Sequence, residues 1–286
     1  MSFKRISRWT WRWRRKQAVA DGNYWDGIPQ SLDDRAYCLD PFLAQLKRRE
    51  NLRLIREWGG LKEDGCLLKT DVFEEAMGDD ALLADMSSEL AATIGMDISF
   101  TLSRRAAERY SGHGVRFLAT DVRSLPFRDA SFSTVVSPST LDHFPDPKDL
   151  GVSLRELFRV LEPGGRLVIT LDNRQNVFDP VLRLVTWLGM VPFYMGRSYT
   201  VSELRSELSE AGFEVQKMTA ILHNPRLVAV VAMRLVRWLR WRPLIDTAQK
   251  LLLAAQGLEN TRWCYYTGSF VAALAIRPWV DSKKPI

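Results

Sequence analysis

Apolar positions along residues 41–277 follow two periods. The stretch "PFLAQLKRRENLRLIREW" (41–58) puts Phe42, Leu46, Leu52, Ile55 and Trp58 on roughly one helical face. Beyond it, short apolar runs alternate with helical stretches. The runs "GCLLKT", "TIGMDIS", "GVRFLATDV", "FSTVVSPST", "GRLVITLDN", "FEVQKMTA" and "TGSFVAALAIR" predict seven strands. Between them, "DALLADMSSELAA", "FTLSRRAAERYS", "DLGVSLRELFRVL" and "TVSELRSELSEAG" predict helices. Ser99 is the expected N-cap of the second, and Pro163-Gly164-Gly165 the stop of the third. Thr200 with Glu203 makes a capping box for the fourth, which Gly212 ends. This alternation predicts an α/β fold, a doubly wound, mostly parallel sheet with helices on both faces.

Two segments break the alternation, and the start of the chain stands apart. Residues 1–45 read as a basic, aromatic and turn-rich extension, and 46–286 as the domain proper. Insertions at about 176–198 and 221–263 read as caps. The first is apolar and aromatic. The second contains "LVAVVAMRLVRWLRWRPL", in which Arg234, Arg237 and Arg240 recur every third residue. Leu227, Val228, Val231, Leu235 and Trp238 fall on the other side, an amphipathic helix suited to lying in a membrane interface.

Charge sharpens this picture. The 286 residues carry a net +6, yet Met1–Lys16 alone holds seven Lys and Arg and no acid. The rest of the chain is therefore close to neutral, and its basicity belongs to a tail. In "WTWRWRR" tryptophan is interleaved with arginine, and tryptophan favours the headgroup level of a bilayer. The expected partner is a peripheral membrane surface rather than nucleic acid. Cys38, Cys66 and Cys264 are scattered and form no C-x-x-C pair, which argues for a reducing compartment and against a disulfide or zinc framework. The basic N-terminus is followed by no apolar signal segment. No uncharged run is long enough to span a bilayer. A cytoplasmic protein, peripheral at the inner face of the membrane, is the expectation.

In a doubly wound sheet, ligands bind at the carboxyl ends of the strands, at the switch in strand order. The polar residues at those ends are Asp71, Asp97, Asp121, Ser137 and Asp172-Asn173. Asp97 falls 19 residues after Gly78. That matches the roughly 20-residue spacing at which an acid meets ribose hydroxyls. An acid there is equally a cap for the next helix, and spacing alone leaves both readings open.

The wider pattern is more specific. "GMDIS", "VRFLATDVRSLPFRDASFSTVVSPSTLDHFPDP" and "ELFRVLEPGGRLVITLDN" together resemble the class I S-adenosylmethionine-dependent methyltransferases, in the branch that modifies quinones and other small molecules. The resemblance covers residues 60–175, and extends to 199–220 and 267–277. It implies a seven-stranded Rossmann-like methyltransferase sheet with helical caps, and S-adenosyl-L-methionine as cofactor. Asp97 would hold the ribose, with Ile98 against the adenine. Asp121 would accept from the adenine amino group, Val122 would give a backbone contact, and Ser137 would border the methionine part.

The departure is the turn after the first strand. The family places an acid and then G-x-G-x-G there. This chain has Lys69-Thr70-Asp71, and its first glycine is Gly78. Three readings follow. A longer turn still binds the cofactor through Lys69, Thr70 and Asp71, with Asp71 or Glu74 on the α-ammonium and Lys69 or a helix N-terminus on the carboxylate. Alternatively Asp71, Glu74 and Glu75 assist a magnesium or manganese ion. In the third reading cofactor binding is lost. The first is preferred because the other cofactor positions are present. "STLDHF" offers His143 as a base, with Asp142 beside it. No N-P-P-Y follows the fourth strand, which disfavours amide or base nitrogen as the acceptor. An apolar cap and a membrane-facing helix imply a lipophilic acceptor, a quinone, isoprenoid or lipid-linked intermediate. The alternatives are chemistry other than methylation with the same cofactor, and a non-catalytic lipid- or partner-binding domain.

Overall fold

The computed structural model describes residues 22–31, 40–188 and 195–279. The basic tail Met1–Lys16, Cys38 and part of the first insertion (189–194) lie outside the described residues. Seven strands form one sheet: β1 (Cys66–Lys69), β2 (Ala92–Asp97), β3 (Val115–Ala119), β4 (Phe132–Pro138), β5 (Leu161–Asp172), β6 (Glu214–Ile221) and β7 (Phe270–Ile276). Their order is β3-β2-β1-β4-β5-β7-β6. All neighbours are parallel except β7, which runs antiparallel to both β5 and β6. The order reverses between β1 and β4, so the ligand crevice opens at their carboxyl ends.

The helices are α1 (Gly22–Ser31), α2 (Pro41–Trp58), α3 (Phe73–Met77), α4 (Leu83–Ser87), α5 (Phe100–Arg109), α6 (Lys148–Val160), α7 (Asp179–Trp187), α8 (Val201–Glu210), α9 (Arg226–Trp238), α10 (Arg242–Ala255) and α11 (Cys264–Thr267). Successive strand residues point to opposite faces. Leu67 and Val136 therefore pack with Leu52 and Ile55 of α2, Met86 of α4 and Leu102 of α5. Their neighbours Leu68 and Val135 pack with Leu154 of α6 and Leu204 of α8. A parallel sheet covered on both faces explains the near-continuous apolar strands.

Local signals hold where the chain is free to obey them. Ser99 caps α5, accepting from the Leu102 amide at 3.1 Å. Thr200 and Glu203 close the capping box of α8. Three expectations are corrected. "DALLADMSSELAA" keeps only the five residues of α4, because buried Glu75 accepts from the Leu82 and Leu83 amides and starts a short helix there. Pro163-Gly164-Gly165 is not the stop of α6. That helix passes straight into β5 at Leu161, and the glycines lie inside the strand, with the Gly164 amide bonded to the Arg277 carbonyl at 2.7 Å. Residues 22–31 form a helix despite their turn-rich composition. A tertiary contact accounts for it: the Asp26 carboxylate accepts from Ser99 Oγ at 2.6 Å and from the Thr101 amide at 2.8 Å. α1 is thereby fastened to the start of α5.

Asp26→Ala should release that contact. The expected outcome is a loss of about 1 kcal/mol in urea unfolding, the usual cost of a lost cap. Chymotrypsin should also cut faster at Tyr24 and Trp25. Unchanged cleavage would show that α1 is held by other contacts.

Candidate active site

The site is assembled where β1, β2, β3 and β4 end. Thr70 donates its hydroxyl to Ser137 Oγ at 2.9 Å, and its amide bonds to the Val136 carbonyl, so the ends of β1 and β4 are pinned together. Asp71 then turns the chain, accepting from the Phe73 amide at 2.8 Å. Val72 folds over β2 and donates its amide to Asp97 Oδ2 at 3.2 Å. Gly95, paired with Lys69 across the strands, makes room for this. A Cβ there would lie 2.7 Å from both Val72 and Leu83 side chains.

Lys69 lies beneath this turn. It is fully buried, and its ammonium donates to Glu74 Oε2 (3.0 Å), Glu75 Oε2 (2.8 Å) and the Asp71 carbonyl (2.5 Å). Burial opposes its charge, but Glu74, Glu75 and Asp71 outweigh that and hold the ammonium charged. Glu74 is buried too, yet Lys47 and Lys69 keep its carboxyl well below the usual range. Thus Lys69 does not reach the cleft, and α3, with five residues, is a single short turn. Gly78 ends α3 away from the cleft. Glu74 and Glu75 converge on a lysine rather than on a shared point with Asp71. Among the described residues no cluster of three or more His, Cys, Asp or Glu is arranged to hold a metal ion.

Thr70, Asp71, Asp97, Ile98, Asp121 and Val122 all line one open cleft, as the sequence led us to expect. Asp97 is buried, and its other oxygen accepts from the Ser99 amide at 2.8 Å. Burial dominates and pushes its carboxyl up to about 6, with Glu74 adding repulsion. Asp71 lies well above the ordinary carboxylate range, through burial and then repulsion from Glu74 and Asp97. A wall of buried carboxyls with too little positive charge to match them suits a cationic ligand. S-adenosylmethionine, with its sulfonium and ammonium groups, fits that donor set. Asp121 is more committed than expected. Arg123 grips both of its oxygens, at 2.7–3.0 Å. Ser137 is wholly buried and serves as the acceptor for Thr70 rather than as a cleft wall.

After β4 the backbone is strained at Ser139, whose φ is +51°. This turn presents Thr140 and a 3-10 helix, Leu141–His143. His143 lines the cleft, with the Trp25 ring of α1 at 5.8 Å. Its Nδ1 is buried without a hydrogen-bond partner among the described residues. Asp142 does not orient it: the two side chains stand 3.9 Å apart. Asp142 is instead buried and accepts from the Asp172 amide at 2.6 Å, tying the turn to β5. Burial raises its carboxyl to about 6, against the opposing pull of His143 and with Asp172 adding repulsion. Gly196 packs so closely here that a Cβ would overlap the Asp142 carbonyl, and the Arg197 amide bonds that same carbonyl at 2.7 Å.

Sequence reasoning missed Trp25, Lys47, Arg123, Phe144, Arg226 and Phe270, which also line the cleft. Arg123 was within reach, two residues beyond Asp121. Trp25, Lys47 and Arg226 come from distant segments and carry no local signal.

The topology and the strand-end acids define a Rossmann-like methyltransferase fold. Residues 74–169 match the family model described as "Methyltransferase domain", and the match begins just past the glycine-poor turn. The chain is 31% identical over 128 residues to a ubiquinone/menaquinone biosynthesis C-methyltransferase of Desulfotalea psychrophila, covering 44% of this chain and 50% of that protein. It is 39% identical over 95 residues to a demethylmenaquinone methyltransferase of Thermus thermophilus, covering 32% and 41%. The chain therefore spans about half or less of the length of these relatives. Among solved structures, the [4+2]-cyclase SpnF superposes with a TM-score of 0.54 at 20% identity, over 81% of each chain. A geranyl diphosphate methyltransferase does so with 0.55 at 12%, over 82% and 79%. Both show a shared fold. The chain carries a class I S-adenosylmethionine-dependent methyltransferase domain.

Asp97 makes a pH prediction. It faces Lys69, Glu74 and Asp71, and its carboxyl is raised from 3.8 to about 6 in the fold. The unbound fold holds this proton more tightly than the unfolded chain. That contribution to stability is full below about pH 4 and is lost as pH rises through 6. Ribose hydroxyls donate to the ionised form, so affinity for S-adenosylhomocysteine should fall about tenfold per pH unit below 6. Calorimetry across pH 5–8 tests this. Asp97→Asn should bind weakly and lose the slope, and a slope retained in that variant would assign it elsewhere.

Proposed function

We propose that the protein transfers a methyl group from S-adenosylmethionine to an oxygen or carbon of a lipophilic small molecule, met at a membrane surface. The observation that carries this reading is the meeting, in one cleft, of Asp71 and Asp97 with His143, beside an exposed apolar rim. The printed names of the two quinone-biosynthesis relatives favour a quinone-type acceptor.

When bound, the cofactor supplies a methyl group already activated as a sulfonium. The chain then has to align, shield and move a proton. Asp97 holds the ribose hydroxyls, and Ile98, Leu102 and Val122 give the base apolar walls. Asp71 takes the α-ammonium, which draws its carboxyl back to the ionised form. The aligned acceptor loses a proton from a hydroxyl or acidic carbon, and His143 takes it. The Trp25 ring shields His143 from water.

The membrane reading rests on surface residues. α9 exposes Val228, Val231, Leu235 and Trp238 along one stripe, and α7 exposes Val181, Leu184 and Trp187. Large contiguous apolar surface of this kind marks an interaction site. Among the three expected basic residues, Arg237 is drawn away, in an ion pair with Asp40 at the start of α2. Arg234 and Arg240 stay exposed for an anionic lipid surface. No helix among the described residues is long and apolar enough to cross a membrane.

Three outcomes are expected. Wild-type protein binds S-adenosylhomocysteine without added metal, and Asp97→Ala does not. Absence of binding in both would end the methyltransferase reading. With methyl-labelled cofactor and a lipid extract, label appears in the organic phase, and His143→Ala slows this about 10²–10⁴-fold with S-adenosylhomocysteine affinity intact. Cosedimentation with phosphatidylcholine/phosphatidylglycerol vesicles falls about tenfold or more in a Val231→Asp/Trp238→Asp double variant. Equal sedimentation would remove the membrane from the proposal.

A further inference from the structure

Arg226 stands first in α9, and its guanidinium reaches back over the end of β5. Nη1 bonds to Asp172 Oδ1 at 2.5 Å, and the guanidinium carbon lies 4.5 Å from the centre of the Phe270 ring. Asp172 is almost wholly buried, while the Arg226 side chain is one third exposed. Among the described residues, Nε and Nη2 make no hydrogen bond, so a locked, stacked guanidinium keeps N–H donors to spare.

Two cavities meet at this residue. One is the cleft with Asp97 and His143. The other is a narrow slot between α7 and α9, walled by Phe178, Val181, Leu182 and Val228. Among the described residues, Arg226 is the only one that lines both. The slot has a polar floor, but that floor is already satisfied. Asn173 Nδ2 donates to the Tyr265 and Gly268 carbonyls, and Asn176 Nδ2 to those of Thr267 and Gly268. Their amide oxygens accept from Gln175 and Phe178, and Ser269 Oγ donates to the Asn224 carbonyl. Asp179 is likewise held by Arg183 and Ser198, so away from Arg226 and Asp172 the slot favours an apolar chain along its apolar walls. At the slot's edge, Val181 and Val228 are half exposed and join the stripes of α7 and α9.

We infer that Arg226 binds the acceptor's oxygen head group and that the α7–α9 slot takes its apolar tail, which fixes the substrate class as a phenol or enol carrying a hydrocarbon chain. Arg226 stabilises the oxygen as negative charge develops on it, near His143. The tail leaves through the slot and along the exposed stripe, so an acceptor can be held while its far end stays in lipid. This rests on the methyltransferase reading above.

The test uses the full-length protein loaded with S-adenosylhomocysteine, with loading confirmed first by calorimetry. The probes are hydroquinones bearing straight alkyl chains of increasing length, followed by calorimetry or tryptophan fluorescence. Affinity should rise about fourfold per methylene over the first few carbons. Val228→Asp and Val181→Asp sit at the exposed edge of the slot and should flatten that rise, with cofactor-product affinity unchanged. Arg226→Lys keeps the charge but loses the fork, and should weaken every chain length about tenfold. Arg226→Gln with Asp172→Asn removes both charges together, avoids a buried unpaired carboxylate, and should weaken binding at least as much. Loaded protein whose affinity ignores chain length, or whose Arg226 variants bind all probes as wild type does, would overturn the inference and leave methyl transfer standing. Failure to load would instead bring down the methyltransferase reading, and this inference with it.

Discussion

The buried ammonium of Lys69 holds the mouth of the sheet in shape. It ends the central strand β1, and three acceptors from the next six residues close around it. In related folds a glycine-rich backbone makes this turn. Here a lysine and two glutamates make it, each satisfied by the others, with Lys47 of α2 adding a second cation at 2.7 Å from Glu74. Removing one member of such a cluster leaves an uncompensated buried charge, at a cost of about 3–5 kcal/mol. The same glutamate that holds Lys69 starts α4, and the turn it shapes delivers the Val72 amide to Asp97. The ion cluster therefore reaches the cofactor cleft through backbone geometry rather than through contact with a ligand.

That arrangement answers how a turn without glycines can still serve a cofactor site. The charged side chains that the sequence puts in the way are turned beneath the turn. What remains facing the cleft is Thr70, Asp71, Phe73 and Glu74. The cost of the arrangement is borne by half-buried Asp71 and buried Asp97, both held above the usual carboxylate range. A cationic ligand would relieve that cost, so the electrostatics of the cleft favour a ligand of that charge. Farther along the cleft the balance shifts, with Arg226 and His143 on its wall.

Much of the fold was legible because its signals are local. The seven apolar runs became seven strands, and Ser99 and Thr200 capped the helices they precede. Asp97, Asp121 and their neighbours stand at strand ends, where period and topology require them. The reading of Lys69 as a cofactor ligand arose because sequence position does not say which way a side chain turns at the end of a strand. Pairing Asp142 with His143 relied on adjacency, but the Asp142 carboxylate is committed to the Asp172 amide and stays 3.9 Å from His143, which faces the cleft.

By itself the amino-acid order determined the succession of strands and helices, the acids at the strand ends and the apolar stripe of α9, because each depends on periodicity or on groups a few residues apart. Only the tertiary structure decided what those residues meet. Asp26 finds the cap of α5 across 73 residues, and Arg226 finds Asp172 across 54. α1 is fastened to the fold at that distant cap. The physical reason is the same in each case: a buried charge or unpaired amide must be satisfied, and the partner that satisfies it is chosen by proximity in the folded sheet, not along the chain.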